Sequence, residues 1–288
     1  MLWFILSLLT AFFSATFAAT LKRNLSHLSP LETAFVPLAL SIPMFLLVLA
    51  VLPAPELSPG FWETVLLLLP FNLAGMLFTI WGIRISPLSL TMPFLAFTPA
   101  LVIGTGFLVL GEVPNIQGIG GIAAIVAGSY VLNLNRDNHS VLDPFRAVFR
   151  EKGSLLVLIA SVIFSMAAVL GKKIVLQSSP LYAACIFFLV HNLFYAAAVL
   201  LSGRVKPEVL VQNSRGGLIV AFFWFLEILC HFSAIAMVET AYMIAIKRLN
   251  GLFSVLYGGM LFRESHMRSR LAGAGLMTAG AALLALAG

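Results

Sequence analysis

Residues 239–264 read ETAYMIAIKRLNGLFSVLYGGMLFRE. The stretch is long and apolar enough to cross a bilayer, yet Lys247 and Arg248 sit about two turns into it. A charge at membrane depth costs several kcal/mol by most estimates unless it is paired or wetted. The preceding apolar stretch, 216–238, carries Glu227 near its middle and His231 four residues on. Positions i and i+4 share a helix face, so these two can look the same way. One carboxylate and two cations on consecutive membrane helices point to a polar chamber inside an apolar bundle.

Composition supports a membrane setting. Of 288 residues, 61% are hydrophobic and 10% charged, where a soluble domain carries about 25% charged residues. The length leaves no room for a sizeable soluble domain. The net charge of +6 does not argue for nucleic acid, because most basic residues flank apolar stretches, where they set topology. Cys185 and Cys230 both lie within apolar stretches, lack metal spacing and read as packed thiols.

A helix needs about 20 apolar residues to span hydrocarbon. Ten stretches qualify: 2–20, 31–52, 61–83, 87–110, 115–134, 153–175, 181–202, 216–238, 240–262 and 270–287. The first lacks a basic segment ahead of it, since Lys22 and Arg23 follow the apolar run, so it reads as a retained helix rather than a signal peptide. The expected fold is an all-α membrane protein of ten transmembrane helices, organised as two inverted five-helix repeats. Residues 1–134 form the first repeat, 135–152 a polar linker and 153–288 the second. Within the linker, Asp143-Pro144 followed by Phe145 and Phe149 reads as the start of a short surface helix.

The halves match at a near-constant offset. Phe13-Ser14 corresponds to Phe164-Ser165, Lys22 to Lys173, and Ser29-Pro30-Leu31 to Ser179-Pro180-Leu181. Gly106 corresponds to Gly258, Glu112 to Glu264, Gly121 to Gly273, and Ala127-Gly128 to Ala279-Gly280. Any one match is weak; a steady offset across a whole half is strong. Five helices is an odd number, so the second half enters the membrane from the opposite side. Secondary transporters use this architecture, with substrate near the midplane between the halves. The fifth and tenth stretches, rich in Gly and Ala, read as packing helices or as a dimer face. Pro43, Pro70, Pro93 and Pro99 each free a backbone carbonyl. Asn250-Gly251 occupies the place of Thr98-Pro99, giving weak points at matching depth in both halves.

Several features together resemble the drug/metabolite transporter superfamily, in its EamA-type ten-helix branch. They are the lysine closing the first helix of each half (Lys22, Lys173), the Ser-Pro before the next helix, and a closing run that appears twice. That run is GTGFLVLGEVPNIQGIGGIAAIVAGSYVL at 104–132 and YGGMLFRESHMRSRLAGAGLMTAG at 257–280. The resemblance covers nearly the whole chain. It implies an exporter or exchanger of small metabolites working by alternating access, with both termini in the cytoplasm. Charge placement argues the other orientation: almost every Lys and Arg outside the spans follows an odd-numbered helix.

Candidate site residues follow from charge and shape. Lys247 and Arg248 suit an anionic group, Arg a planar oxyanion and Lys a point charge. Glu227 and His231 are candidates for proton coupling as well as substrate contact; a buried ion pair of Glu227 with Lys247 or Arg248 is the structural alternative. Asn72, Trp81, Thr98, Trp224 and Tyr242 complete the candidate substrate-binding set. His191, Asn192 and Asn72 are also suited to interhelical hydrogen bonds. Trp3 and Trp62, at helix starts, read as interface-belt residues.

No HExxH, Cys-x-x-Cys, phosphate-loop or Gly-x-Ser-x-Gly signature is present, and no cofactor or metal is expected. The expected function is secondary transport of a small organic metabolite, such as an amino acid or organic anion. The expected partners are that substrate, the lipid bilayer of the cell membrane, a coupling proton or counter-substrate, and a second copy in a homodimer. Two other classes stand beside it: an intramembrane enzyme acting on a lipid-linked group, and a non-transporting assembly or sensor subunit.

Overall fold

The computed structural model describes residues 1–86, 91–133, 151–261 and 267–288. Among them the regular structure is helical throughout. In the first half these are α1 (Leu2–Leu25), α2 (Pro30–Val51), α3 (Phe61–Ile85), a 3₁₀ segment (Met92–Phe97) leading into α4 (Thr98–Leu110), and α5 (Ile116–Asn133). The second half has α6 (Lys152–Leu176), α7 (Pro180–Leu201), a short α8 (Glu208–Gln212), α9 (Ser214–Ile235), α10 (Thr240–Lys247), α11 (Asn250–Leu261) and α12 (Met267–Ala287). Among the described residues seven spans are long and apolar enough to cross a membrane: α1, α2, Phe61–Ile83 of α3, Pro93–Leu110, α6, α7 and α9. The apolar parts of α5 and α12 are shorter, Ile116–Leu132 and Ala272–Ala287. The surface helix expected from Asp143-Pro144 and the repeat residue Glu264 lie outside the described residues.

The Ser-Pro pair explains where the second helix begins. Ser29 caps α2, its Oγ accepting from Glu32 N–H at 3.4 Å while Glu32 Oε2 accepts from Ser29 N–H at 2.9 Å. Pro30 occupies the first turn, where its missing N–H is not needed. Ser179-Pro180 opens α7 at the matching place. Proline does not interrupt every helix that holds it. α2 runs through Pro37 and Pro43, and α3 through Pro70, because neighbouring groups in a membrane bundle re-satisfy the freed carbonyls.

Two of the ten stretches expected to span, the fourth and the ninth, are interrupted. The fourth changes from 3₁₀ to α-helix at Phe97–Thr98. The apolar stretch 240–262, where Asn250-Gly251 reads as a weak point, stops at Lys247 and restarts at Asn250. Across that break Arg248, Leu249, Gly251 and Leu252 donate to the carbonyls three residues back, a tighter winding than the α-helix. The breaks fall at the positions that correspond between the halves.

Helices of one half pack on helices of the other. α1 lies on α9, with Phe17 and Trp224 ring centroids 5.3 Å apart. α3 lies on α6, and α2 on α7, where Asn192 Nδ2 donates to Ser41 Oγ at 3.0 Å. α5 lies on α12 through their small residues. A Cβ on Gly128 would come 2.6 Å from Gly273 O, and one on Gly273 2.7 Å from Gly128 O. Gly121 and Gly280 meet in the same way. So these two stripes are used against each other within the chain. In each pair, residue numbers rise along one helix as they fall along the other, so the partners run antiparallel. Trp3 is a correction to the belt assignment: it is 5% exposed and packs by Tyr242. Trp62 is half exposed.

Candidate functional site

On α9, Trp224, Glu227, Ile228 and His231 are spaced to share one helix face. The face meets the end of α10. Lys247 Nζ lies 2.9 Å from Glu227 Oε1 and 3.5 Å from His231 Nδ1. The Glu227 side chain is only 4% exposed, so the pair removes what would otherwise be an isolated buried carboxylate. Lys247 is also the last residue of α10.

Arg248 follows at the break and is treated differently. Among the described residues no acidic side chain pairs with it, and its Nε is buried without a hydrogen-bond partner. Arg248 and Lys247 both line a cavity of about 250 Å³ at mid-depth in the bundle. The first half contributes Leu68, Asn72, Leu95 and Thr98 to its wall. The second half contributes aromatic surface from Phe164, Phe187, Phe188, Trp224 and Phe232, together with His231. The cavity therefore lies between the halves and touches both interrupted spans.

A second ion pair lies beyond it. Lys172 on α6 pairs with Glu112 Oε1 and also donates to Val238 O at 2.7 Å. Glu112 Oε2 accepts from Thr240 N–H at 2.9 Å. These contacts tie together the ends of α4, α6 and α9 and the start of α10. Gly171, next to Lys172, lines the cavity, so the clamp sits at one end of the chamber.

The EamA-like transporter family matches residues 1–134 and again residues 151–286. The chain belongs to the EamA-like transporter family. A solved structure described only as the crystal structure of a protein is similar over 99% of this chain and 95% of its own, at 14% identity and a TM-score of 0.70. That likeness is one of fold. A comparison with curated proteins found no match.

Within this EamA-like chain, Asn72, Thr98, Trp224, His231, Lys247 and Arg248 all reach the cavity. Glu227 stands behind Lys247 as its counter-ion rather than on the wall. Tyr242 and Trp81 are corrections. The Tyr242 hydroxyl accepts from Asn115 N–H at 3.1 Å, and the ring packs over Gly118. Five residues ahead of Lys247, it points about 140° away around the helix. Trp81 is 60% exposed on the outer face of α3. Nine residues after Asn72, it lies about 180° around. Asn192 joins α7 to α2 through Ser41, as expected of an interhelical bond, while the ring of His191 bonds to Asn192 on its own helix and leaves Nε2 without a partner among the described residues.

The phenylalanine wall and the Glu112–Lys172 clamp were not legible in the sequence. Glu112 carried a signal as half of a repeat match, and Lys172 as a cation just before a span ends. Nothing in their spacing pairs them.

Proposed function

We propose that this protein is a secondary transporter that moves a small organic solute by alternating access, its halves being inverted copies of one five-helix unit. The observation that carries the reading is the cavity holding Lys247 and Arg248, walled by both halves at the two interrupted spans. Discontinuous helices flanking a midplane site are how transporters combine a binding site with a hinge. Irregular backbone at membrane depth is tolerated where it lines such a chamber.

The helix contacts support the inversion. The pairs α1–α9, α3–α6, α2–α7 and α5–α12 run antiparallel, as oppositely inserted copies allow. The glycine contacts exchange partners: Gly121 corresponds to Gly273 and Gly128 to Gly280, while the contacts join Gly121 to Gly280 and Gly128 to Gly273. A two-fold relation produces that exchange. Ten spans then follow, with α10 and α11 together forming the ninth.

In this scheme the Glu112–Lys172 clamp closes the chamber at the end where α4, α6 and α9 finish, and it separates when the halves rock. Glu227 and His231 carry the coupling proton, their contacts with Lys247 linking protonation to occupancy. Direction is export or exchange. Both termini face outward. Lys172 belongs to the buried clamp, which leaves Lys173 as the basic residue of the terminal side and strengthens the charge bias.

Counterflow in proteoliposomes tests the reading. Purified protein loaded with a panel of amino acids and organic acids is expected to accumulate a labelled solute against the same unlabelled solute. Folded protein that exchanges no member of such a panel, while binding one of them, would end the transport reading.

A further inference from the structure

Resting on that reading, we infer that the cavity selects a small monocarboxylate with an apolar, ring-sized body and no ammonium group, and that Arg248 rather than Lys247 holds the carboxylate. Two cations line the chamber, but only one has a charge to offer. Lys247 is neutralised by Glu227 at 2.9 Å. Arg248 has no acidic partner among the described residues, and its buried Nε has no acceptor. Trp224, on the same wall, carries a second buried donor without a partner at Nε1. A half-buried guanidinium at membrane depth is costly without a counter-charge, and its forked donors match a carboxylate two-for-two. A cation on the wall without an acidic partner, beside one that already has its counter-ion, describes the complement of a single carboxylate.

The rest of the wall says what the anion is attached to. Phe164, Phe187, Phe188 and Phe232 give it apolar faces, suited to ring stacking and burial. An ammonium group would find poor company. No carboxylate lines the chamber among the described residues, and Glu227, behind its wall, is already committed to Lys247. The side-chain acceptors left on the wall are neutral: the Thr98 hydroxyl oxygen, whose proton goes to Leu95 O at 2.8 Å, the Asn72 amide oxygen and the His231 ring. A second cation would sit near both Lys247 and Arg248, where like charges repel strongly in low dielectric. A dianion would bring one charge too many for one free guanidinium. The volume of about 250 Å³ falls just below the roughly 300–1,000 Å³ usual for small-molecule pockets, which suits one ring on a short acid.

The test is a charge series on one skeleton, applied to detergent-purified full-length protein in chloride-free buffer. The probes are 3-phenylpropanoate, its primary amide, phenylalanine and 2-phenylethylamine. Binding is read by calorimetry and by the rise in unfolding temperature that a ligand of the folded state produces. The acid is expected to bind at least tenfold more tightly than each of the other three. Arg248→Gln is expected to reduce the acid-to-amide preference to about one, and Arg248→Lys to restore part of it. Because the preference is a ratio within one variant, general loosening of the fold does not mimic it. If Arg248→Gln fails to fold, the series on the unaltered protein decides.

Phenylalanine or phenylethylamine binding as tightly as the acid overturns the inference. So does an acid that binds no better than its amide, or an acid preference unchanged in Arg248→Gln. Counterflow of the same probes separates this inference from the transport reading. Acid binding without counterflow keeps the charge assignment and counts against transport. Counterflow of the amino acid in place of the acid keeps transport and ends this inference.

Discussion

Lys247 Nζ lies 2.9 Å from Glu227 Oε1, so the cation that ends α10 is neutralised by the neighbouring α9. Glu227→Gln removes that counter-charge and leaves the ammonium with a neutral acceptor and His231. Breaking a buried pair costs about 3–5 kcal/mol. Lys247 keeps 26% of its side chain accessible, so the expected loss is nearer 2 kcal/mol, read as a lower unfolding temperature. Adding Lys247→Met should recover most of it. If Glu227 carries the coupling proton, the single variant also loses the pH dependence of counterflow. A wild-type pH profile would remove that role.

The glycines separate into those that hold helices together and those that do not. Gly128→Ala would drive a methyl to 2.6 Å from Gly273 O. Backbone cannot swing aside as a side chain can, so an overpacking cost of about 1–3 kcal/mol is expected. Gly120 has open space where its Cβ would be. There the helix preference of alanine dominates, and Gly120→Ala should be neutral or stabilising by up to about 1 kcal/mol. Thermal unfolding of the two variants side by side checks the contrast.

The clamp predicts a change in access. Lys172→Met leaves Glu112 buried with one partner fewer, and the chamber loses its tie at that end. A cysteine at Gly171 is a suitable reporter, since the nearest atom to its Cβ would be 3.9 Å away. In a background without Cys185 and Cys230, Lys172→Met should speed labelling at Gly171→Cys by a membrane-impermeant thiol reagent several-fold. Unchanged labelling would assign the pair to stability alone.

The break in the ninth span has a local cause. Asn250 and Gly251 are poor helix formers, and the Asn250 amide reaches across to Ser14 Oγ at 3.4 Å. Asn250→Ala with Gly251→Ala favours a continuous helix. A Cβ at Gly251 meets only the Leu132 side chain end, at 2.9 Å, which can move. The double variant should fold well but exchange solute at least several-fold more slowly, as counterflow would record.

Orientation is checked with a reporter active on only one side of the membrane. Fused after Gly288, alkaline phosphatase should be active, because the basic loops hold the other side in the cytoplasm. An inactive fusion, with a cytoplasmic reporter active at the same place, would reverse the assignment.

The positions of Tyr242 and Trp81 show how far helix rotation alone could have gone. Counting about 100° per residue from Lys247 and Asn72 turns both aromatics away from the chamber. Trp3 was less accessible to such counting, since a tryptophan at a helix start faces lipid or a neighbour according to what packs beside it. The Glu112–Lys172 pair was out of reach for the same reason.

Hydrophobic runs, the repeated offset and the cost of ions in hydrocarbon were enough to establish a polytopic helical protein with a charged interior. Each of those is local, or depends on solvent alone. Which cation stays free was decided only when α9 and α10 came together. Glu227 lies within reach of Lys247, while Arg248, one residue on, has no such partner among the described residues. A salt bridge depends on a few ångströms and the rotation of two helices, and no spacing along one chain encodes that.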